Sequence, residues 1–295
     1  MNVSFKSATL ACGFAGALMT TLVGCSDGDA VDGPAEAPTS EPVDAPDAVP
    51  TEIEQALSAE PTPLPEDADG IVVPIPEAAV AEGAVAVLRD GQVTEFRPET
   101  APLDLAAFTP VDGSKAETTL EDGVLRIKGG LGFMQSPQQY GDFVLQAEVK
   151  LNSPDSNSGI FFRTMEPTAD APSNGYEMQL QNTLGPGGRT DPDDYGDGFG
   201  TGGIFRRQPA RYVNANDGEW FHVTLVAVGN RMATWVNGLQ VTDFTDERDP
   251  DPNPRKGRRD DPGFIVLQGH DPTTDVSFRN LRIQSLDADG ATESD

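Results

Sequence analysis

From about residue 120 onward, apolar and polar positions alternate with a period of two in many short stretches. Successive side chains of a strand point to opposite faces, so this alternation predicts half-buried β-strands. Ten candidates result: 123–128, 143–151, 159–164, 176–181, 203–207, 220–228, 232–236, 239–244, 264–269 and 276–285. Asn237-Gly238 has the composition of a two-residue hairpin turn, and Gly229-Asn230 reads as a second. No long segment repeats at the helical period of 3.6. Short strands separated by turn residues predict an all-β fold, an antiparallel jelly-roll β-sandwich, over residues 96–287 with a disordered tail at 288–295.

Three strands share a further pattern. In NSGIFFRT (157–164), Ile160 and Phe162 take one face while Phe161 and Arg163 take the other. In GYEMQLQN (175–182), Met178 and Leu180 oppose Glu177, Gln179 and Gln181. In GFIVLQGH (263–270), Ile265 and Leu267 oppose Gln268 and His270. Placed in one sheet, these strands would present Arg163, Glu177, Gln179, Gln181, Gln268 and His270 as a polar floor backed by a hydrophobic core.

The first 95 residues read differently. Lys6 precedes an apolar run, 8–23, that is short and rich in small residues for a membrane-spanning helix. The run ends in Leu22-Val23-Gly24-Cys25, which resembles the bacterial lipobox. The resemblance implies that residues 1–25 are a lipoprotein signal, cleaved before a lipidated Cys25. Acyl chains contribute about 0.8 kcal/mol per buried CH₂, so two or three of them would hold the protein on a membrane. The expected location is the cell envelope, at the outer membrane or periplasmic face of a Gram-negative-type bacterium. Cys12 lies in the removed segment, which leaves the mature domain without a disulfide or a thiol nucleophile. Residues 26–95 hold 17 Asp and Glu, ten prolines and no aromatic residue, a composition that predicts a disordered acidic linker. Within it, Thr51 and Glu54 have capping-box spacing and predict a transient helix. The more apolar run 71–88 has no assigned place.

Charge narrows the partners. The chain carries 48 acidic and 20 basic residues, a net charge of −28, which repels phosphate backbones and argues against nucleic acid. The basic run RKGRR (255–259) reads as a solvated loop with local ion pairs, with an anion subsite as the sharper alternative. The loop DPDDYGDG (191–198) holds Asp191, Asp193, Asp194 and Asp197, a set that suits calcium, with a solvated acidic loop as the alternative. Asp194 and Tyr195 are also placed at the mouth of the site, and Tyr176 is a candidate to stack on a sugar. His222, Trp220 and Trp235 read as packing residues.

The succession YGDFVLQAEVKL, NSGIFFRT, GYEMQLQN, GEWFHVTLVAVGNRMATWVNGLQVTDF, GFIVLQGH and VSFRNLRI resembles the 3-keto-disaccharide hydrolase domain family over roughly residues 103–286. The resemblance implies a concanavalin A-like jelly roll and activity on 3-keto-glycosides. A divalent metal, calcium or a transition metal, is implied by related activities. A ketone at C3 acidifies the hydrogen on C2, so a base can remove it and the C1 substituent can leave by elimination, after which water adds back. Such a route needs a base, an acid and a group to hold the enolate oxygen. His270 and Glu177 are the candidate base and acid, in either order, and Arg163 the candidate for the oxygen. A metal on Glu177 and His270 is the alternative electrophile. Gln179, Gln181 and Gln268 would orient hydroxyls. The blander readings are a turn-stabilising His270, an Arg163–Glu177 cross-strand ion pair and solvent-facing glutamines. A hydrolase anchored by lipid is therefore the leading expectation, and a non-catalytic carbohydrate-binding lipoprotein the second.

Overall fold

A computed structural model describes residues 50–167, 174–192 and 198–286, all within one compact unit, Asp44–Asp295. The signal segment with Cys25, the linker up to residue 49, the acidic-loop residues Asp193, Asp194, Tyr195 and Asp197, and the tail 288–295 lie outside the described residues. The chain begins with α1 (Thr51–Leu57), α2 (Glu77–Ala81), β1 (Val85–Arg89) and β2 (Gln92–Phe96). Then come β3 (Ala101–Pro102), β4 (Thr109–Pro110), β5 (Glu117–Glu121), β6 (Val124–Lys128), β7 (Gly132–Tyr140), β8 (Phe143–Leu151), β9 (Ser158–Thr164) and β10 (Tyr176–Leu180). The last strands are β11 (Phe221–Val228), β12 (Arg231–Val236), β13 (Leu239–Thr245), β14 (Gly263–Gly269) and β15 (Asp275–Ser285).

These strands form the expected antiparallel sandwich of jelly-roll type. One sheet has the order β10-β9-β14-β7-β4, and the larger one runs β13-β12-β11-β8-β15-β6-β5 with β3 joined to β15. The alternation in the sequence decides which side chains meet between them. Leu145, Val149, Phe221, Leu225 and Phe278 of the large sheet pack with Ile160, Phe162, Met178, Leu180 and Leu267 of the small one in a single core. The β12–β13 hairpin turns at Asn237 (φ 47°) and Gly238 (φ 79°), positive backbone angles that this residue pair tolerates. Gly229 (φ 52°) begins the β11–β12 turn.

Residues 50–95, expected to belong to the disordered linker, instead lie on the outer face of the large sheet. Ile53, Ala56 and Leu57 of α1 cluster with Val85, Val87, Phe96, Val144, Val226, Ala233 and Trp235. The segment itself carries little apolar bulk, but the strands beneath it supply Trp235 and the β-branched partners. Burying an Ile or Leu contributes about 1.5–3 kcal/mol, which suffices to fix a short helix. Thr51 is not the N-cap: Pro50 occupies that position and no side chain caps the helix, so packing holds it. Polar ties extend the attachment. Trp235 Nε1 donates to the Ala86 carbonyl, Tyr212 Oη to that of Gly70, and Asn214 brackets both backbone groups of Val72.

Two further differences concern strands. Residues 203–207 are not a strand: Ile204 makes only isolated bridges to Met178 and Gln208, within a series of turns. Conversely, β7 contains Pro137, which argues against a strand interior. It fits because Ser136, Pro137 and Gln138 bulge opposite Ile265, where no ladder N–H is required.

Candidate functional site

The outer face of the small sheet carries a pocket of about 650 Å³, lined by Glu177, Gln179, Gln268, His270, Arg255 and Arg206 together with Phe133, Phe205, Asn157 and Leu131. The strand register builds its floor. Glu177 lies opposite Phe161, and Gln179 opposite Gly159. Leu267 lies opposite Ile160, which puts Gln268 on the other side of Gly159, and Gln268 itself pairs with Phe133. Two amides thus flank a glycine that leaves the floor open between them. A Cβ on Gly159 would stand 2.7 Å from Glu177 Oε1 and 2.9 Å from its Cγ, so the glycine makes room for that carboxylate.

Glu177 is 5% exposed, and its Oε2 accepts a hydrogen bond from Arg255 Nη2 at 3.0 Å. Arg255 comes from the basic run between β13 and β14, and its guanidinium also lies 5.2 Å from the ring centroid of Phe161 and 5.7 Å from that of Phe205. Such contacts favour a cation over an aromatic face. Gln179 Nε2 donates to Asn157 Oδ1 and Gln181 Oε1, whereas Gln179 Oε1 and Gln268 Oε1 are buried and accept no hydrogen bond. Buried acceptors are ordinarily paired, and both of these oxygens belong to residues that line the pocket. His270, just beyond β14, has its Nδ1 2.8 Å from Asp271 Oδ2. Burial works to raise the Asp271 carboxyl, but hydrogen bonds from Thr273 and His270 outweigh it and hold it below its ordinary value. An ionised carboxylate only accepts, so Nδ1 carries a proton toward Asp271 and Nε2 is the ring nitrogen left to act on a ligand.

Of the six residues expected on the polar floor, Glu177, Gln179, Gln268 and His270 come together. Gln181 does not line the pocket but holds the Gln179 amide from behind. Arg163 is a correction. The pairing of β9 with β14 inserts an extra residue at Phe162–Arg163, and Arg163 has φ 46°, so strict alternation fails there. Its guanidinium is fully buried and donates to the carbonyls of Gly141, Gly229 and Arg259 and to Asp142 Oδ1. It ties three loops together, and no Arg163–Glu177 pair forms among the described contacts; Arg255 holds Glu177 instead.

Tyr176 is also corrected, from sugar-stacking candidate to core residue. Its ring stacks on Phe162 inside the sandwich, and its hydroxyl donates to Asp246 Oδ2 and accepts from the Arg259 N–H. Burial, with the facing Asp246 carboxylate, pushes the Tyr176 hydroxyl up to about 12. Asp246 in turn takes two side-chain hydrogen bonds from Arg248. This cluster fixes both ends of the loop that delivers Arg255. Sequence pattern missed Arg255 because the loop has no periodicity; the only signal was an isolated basic run in an acidic chain.

A divalent ion between Glu177 and His270 does not fit this arrangement. The Glu177 carboxylate already holds the Arg255 cation, and among the described residues no three His, Cys, Asp or Glu side chains group closely enough for a metal. Asp191, at the edge of the acidic loop, is exposed and does not line the pocket; its expected co-ligands lie outside the described residues. A separate cavity of about 460 Å³ lies on the outer face of the large sheet under α2, beside Glu148 and His222. Its amide Gln146 is engaged with Gly83, Thr224 and Thr100, and burial holds the His222 imidazole below its ordinary value. That cavity is a seam of the N-terminal attachment, consistent with the packing role expected of His222.

Comparison with a solved structure supports the fold. A candidate glycosyl hydrolase from Parabacteroides distasonis ATCC 8503 superposes with a TM-score of 0.50 at 22% identity, covering 64% of this chain and 100% of that one. Another from the same organism gives 0.49 at 21%, with coverages of 72% and 98%. The carbohydrate-binding module CBM66 from Bacillus subtilis gives 0.42 at 15%, with 61% and 96%. No curated protein matches the chain. Residues 101–284, which span the strands that build the pocket, match the family model described as a 3-keto-alpha-glucoside-1,2-lyase-like domain, and the chain belongs to that family.

Proposed function

We propose that this protein cleaves 3-keto-glycosides, or closely related oxidised sugars, in the pocket over the small sheet. The observation that supports the reading is the convergence of one buried carboxylate, one imidazole held by a carboxylate, two guanidinium groups and two glutamine amides in a single 650 Å³ pocket. Glu177, which accepts from Arg255, is the base that removes the C2 hydrogen of the bound sugar. The electron pair forms the C2–C3 enolate, and the positive charge of Arg255 lies beside the developing oxygen. The pair then returns to expel the C1 substituent, which takes a proton from the protonated His270 at Nε2. Asp271 orients that imidazole and stabilises its charged form. Gln179 and Gln268 accept hydrogen bonds from sugar hydroxyls.

Elimination alone yields the unsaturated 3-keto sugar and the free alcohol, a lyase reaction. Addition of water across the new double bond completes a hydrolysis. Both outcomes share the first step, and that step needs the ketone. Two opposed carboxyl groups, as in ordinary glycosidases, are not required.

The lipid anchor at Cys25 and the cell-envelope location belong to the same proposal; a Cys25→Ala protein should leave the membrane fraction. The reaction is tested by incubating the full-length protein with 3-keto-trehalose and with trehalose. Release of a sugar from the keto substrate alone supports the reading. Sugar binding without release from either would replace it with a carbohydrate-binding role.

A further inference from the structure

We propose that the sugar taken by this site carries an anionic group, a carboxylate or a sulfate ester, recognised by Arg206; the inference rests on the carbohydrate reading of the pocket. Arg206 lines the pocket together with Arg255. Its guanidinium carbon lies 5.2 Å from the centroid of the Phe205 ring, the same ring that Arg255 approaches to 5.7 Å. Phe205 is itself braced edge-on by Phe199, with ring centroids 5.1 Å apart. One braced aromatic ring therefore gathers two guanidinium groups at one wall of the pocket.

The two cations differ in their partners. Arg255 is matched by Glu177. The Arg206 guanidinium, among the described residues, donates no hydrogen bond and meets no carboxylate, its one contact being the Phe205 ring. His270 is matched by Asp271. Apart from His270, the described lining of the pocket thus holds two arginines against the single carboxylate of Glu177, in a chain whose net charge is −28.

The backbone supports the same conclusion. Arg206 has φ 60°, in the left-handed region that a side chain of this size rarely adopts, and such strain concentrates at ligand sites. Nothing in the turn itself requires an arginine: Asn would hold the angle more easily. The planar fork of a guanidinium matches the two oxygens of a carboxylate or sulfate, and such charge-assisted pairs are stronger than neutral hydrogen bonds.

The test uses the full-length protein and calorimetric titration at low salt with methyl β-glucoside, methyl β-glucuronide and methyl β-glucoside 6-sulfate. The glucuronide or the sulfate ester should bind about tenfold more tightly than the neutral glucoside. That advantage should shrink with added salt and disappear in Arg206→Asn, a variant chosen to keep the left-handed turn and checked by its melting temperature. Which of the two anions gains identifies the source of the charge. Equal affinity of all three sugars would overturn the anionic assignment while leaving the pocket a sugar site. An anionic preference that survives in Arg206→Asn would also overturn it, by moving recognition elsewhere. Binding of none of them would overturn both this inference and the carbohydrate reading.

Discussion

Glu177 and Arg255 are separated by 78 positions in the chain, yet the Arg255 guanidinium lies 3.0 Å from the Glu177 carboxylate inside the pocket. The pair joins the floor of the small sheet to the loop between β13 and β14. Neither partner is explained by the core: Glu177 is on the outer face of β10, and Arg255 rests on Phe161 and Phe205. Removing one partner separates the two roles. Glu177→Gln keeps the shape and removes the base, and turnover should fall about 10²–10⁴-fold with the melting temperature nearly unchanged. Arg255→Gln should also depress turnover, because the enolate oxygen loses its nearby charge.

Gly159 offers a test of geometry rather than chemistry. A methyl group there meets Glu177 Oε1 at 2.7 Å, so Gly159→Ala must displace the carboxylate or the strand. Overpacking of this kind costs about 1–3 kcal/mol. Turnover should fall further than stability explains, which paired kinetic and thermal measurements would reveal.

Asp271→Asn addresses the imidazole. An amide does not stabilise a charged His270 and can present its N–H to Nδ1, reversing the tautomer. The expected result is a lower kcat with little change in KM, measured by steady-state kinetics on the 3-keto substrate.

The loop that carries Arg255 is anchored by Asp246, Arg248 and Tyr176. Burial would raise the Asp246 carboxyl, but the bonds from Arg248 and Tyr176 prevail and hold it below its ordinary value. A folded value below the unfolded one, about 3.9, means that the stabilisation is full above that pH and is lost as pH falls through the folded value. Thermal unfolding followed from pH 6 to pH 2 should show this loss. In Asp246→Asn the acid limb should be shallower, and at neutral pH the variant should be less stable by about 3 kcal/mol.

Deleting residues up to 95 would uncover Val144, Val226, Ala233 and Trp235 on the large sheet. Such a truncated protein should aggregate or melt well below the full-length chain. Unchanged melting would mean that the N-terminal segment is dispensable for the sandwich.

Much of this was legible in the sequence because period-two alternation reports directly which face of a strand is buried. Ile160, Phe162, Met178, Leu180 and Leu267 go to the core, and Glu177, Gln179, Gln268 and His270 meet on the other face as expected. Alternation failed where a bulge broke it, at Arg163, whose positive φ no pattern of polarity announces. Tyr176 obeys the alternation, and it was the sugar-stacking expectation for it that ignored the pattern. The phenol ring follows Met178 and Leu180 to the inside, and its hydroxyl is accommodated there by Asp246, 70 positions away. Arg255 and Arg206 come from loops, where position depends on distant anchors. The N-terminal segment was misread because composition measures what a segment can bury alone, whereas Ile53, Ala56 and Leu57 borrow an apolar surface from strands 90 to 180 residues further on.

The most direct test of the central claim is a C2 deuterium isotope effect. The full-length protein would be given a 3-keto-glucoside carrying hydrogen or deuterium at C2, alongside Glu177→Gln. Removal of that hydrogen by Glu177 should give slower cleavage of the deuterated sugar, and near-complete loss of cleavage in the variant. Equal rates for the two isotopologues, with cleavage intact in Glu177→Gln, would contradict it.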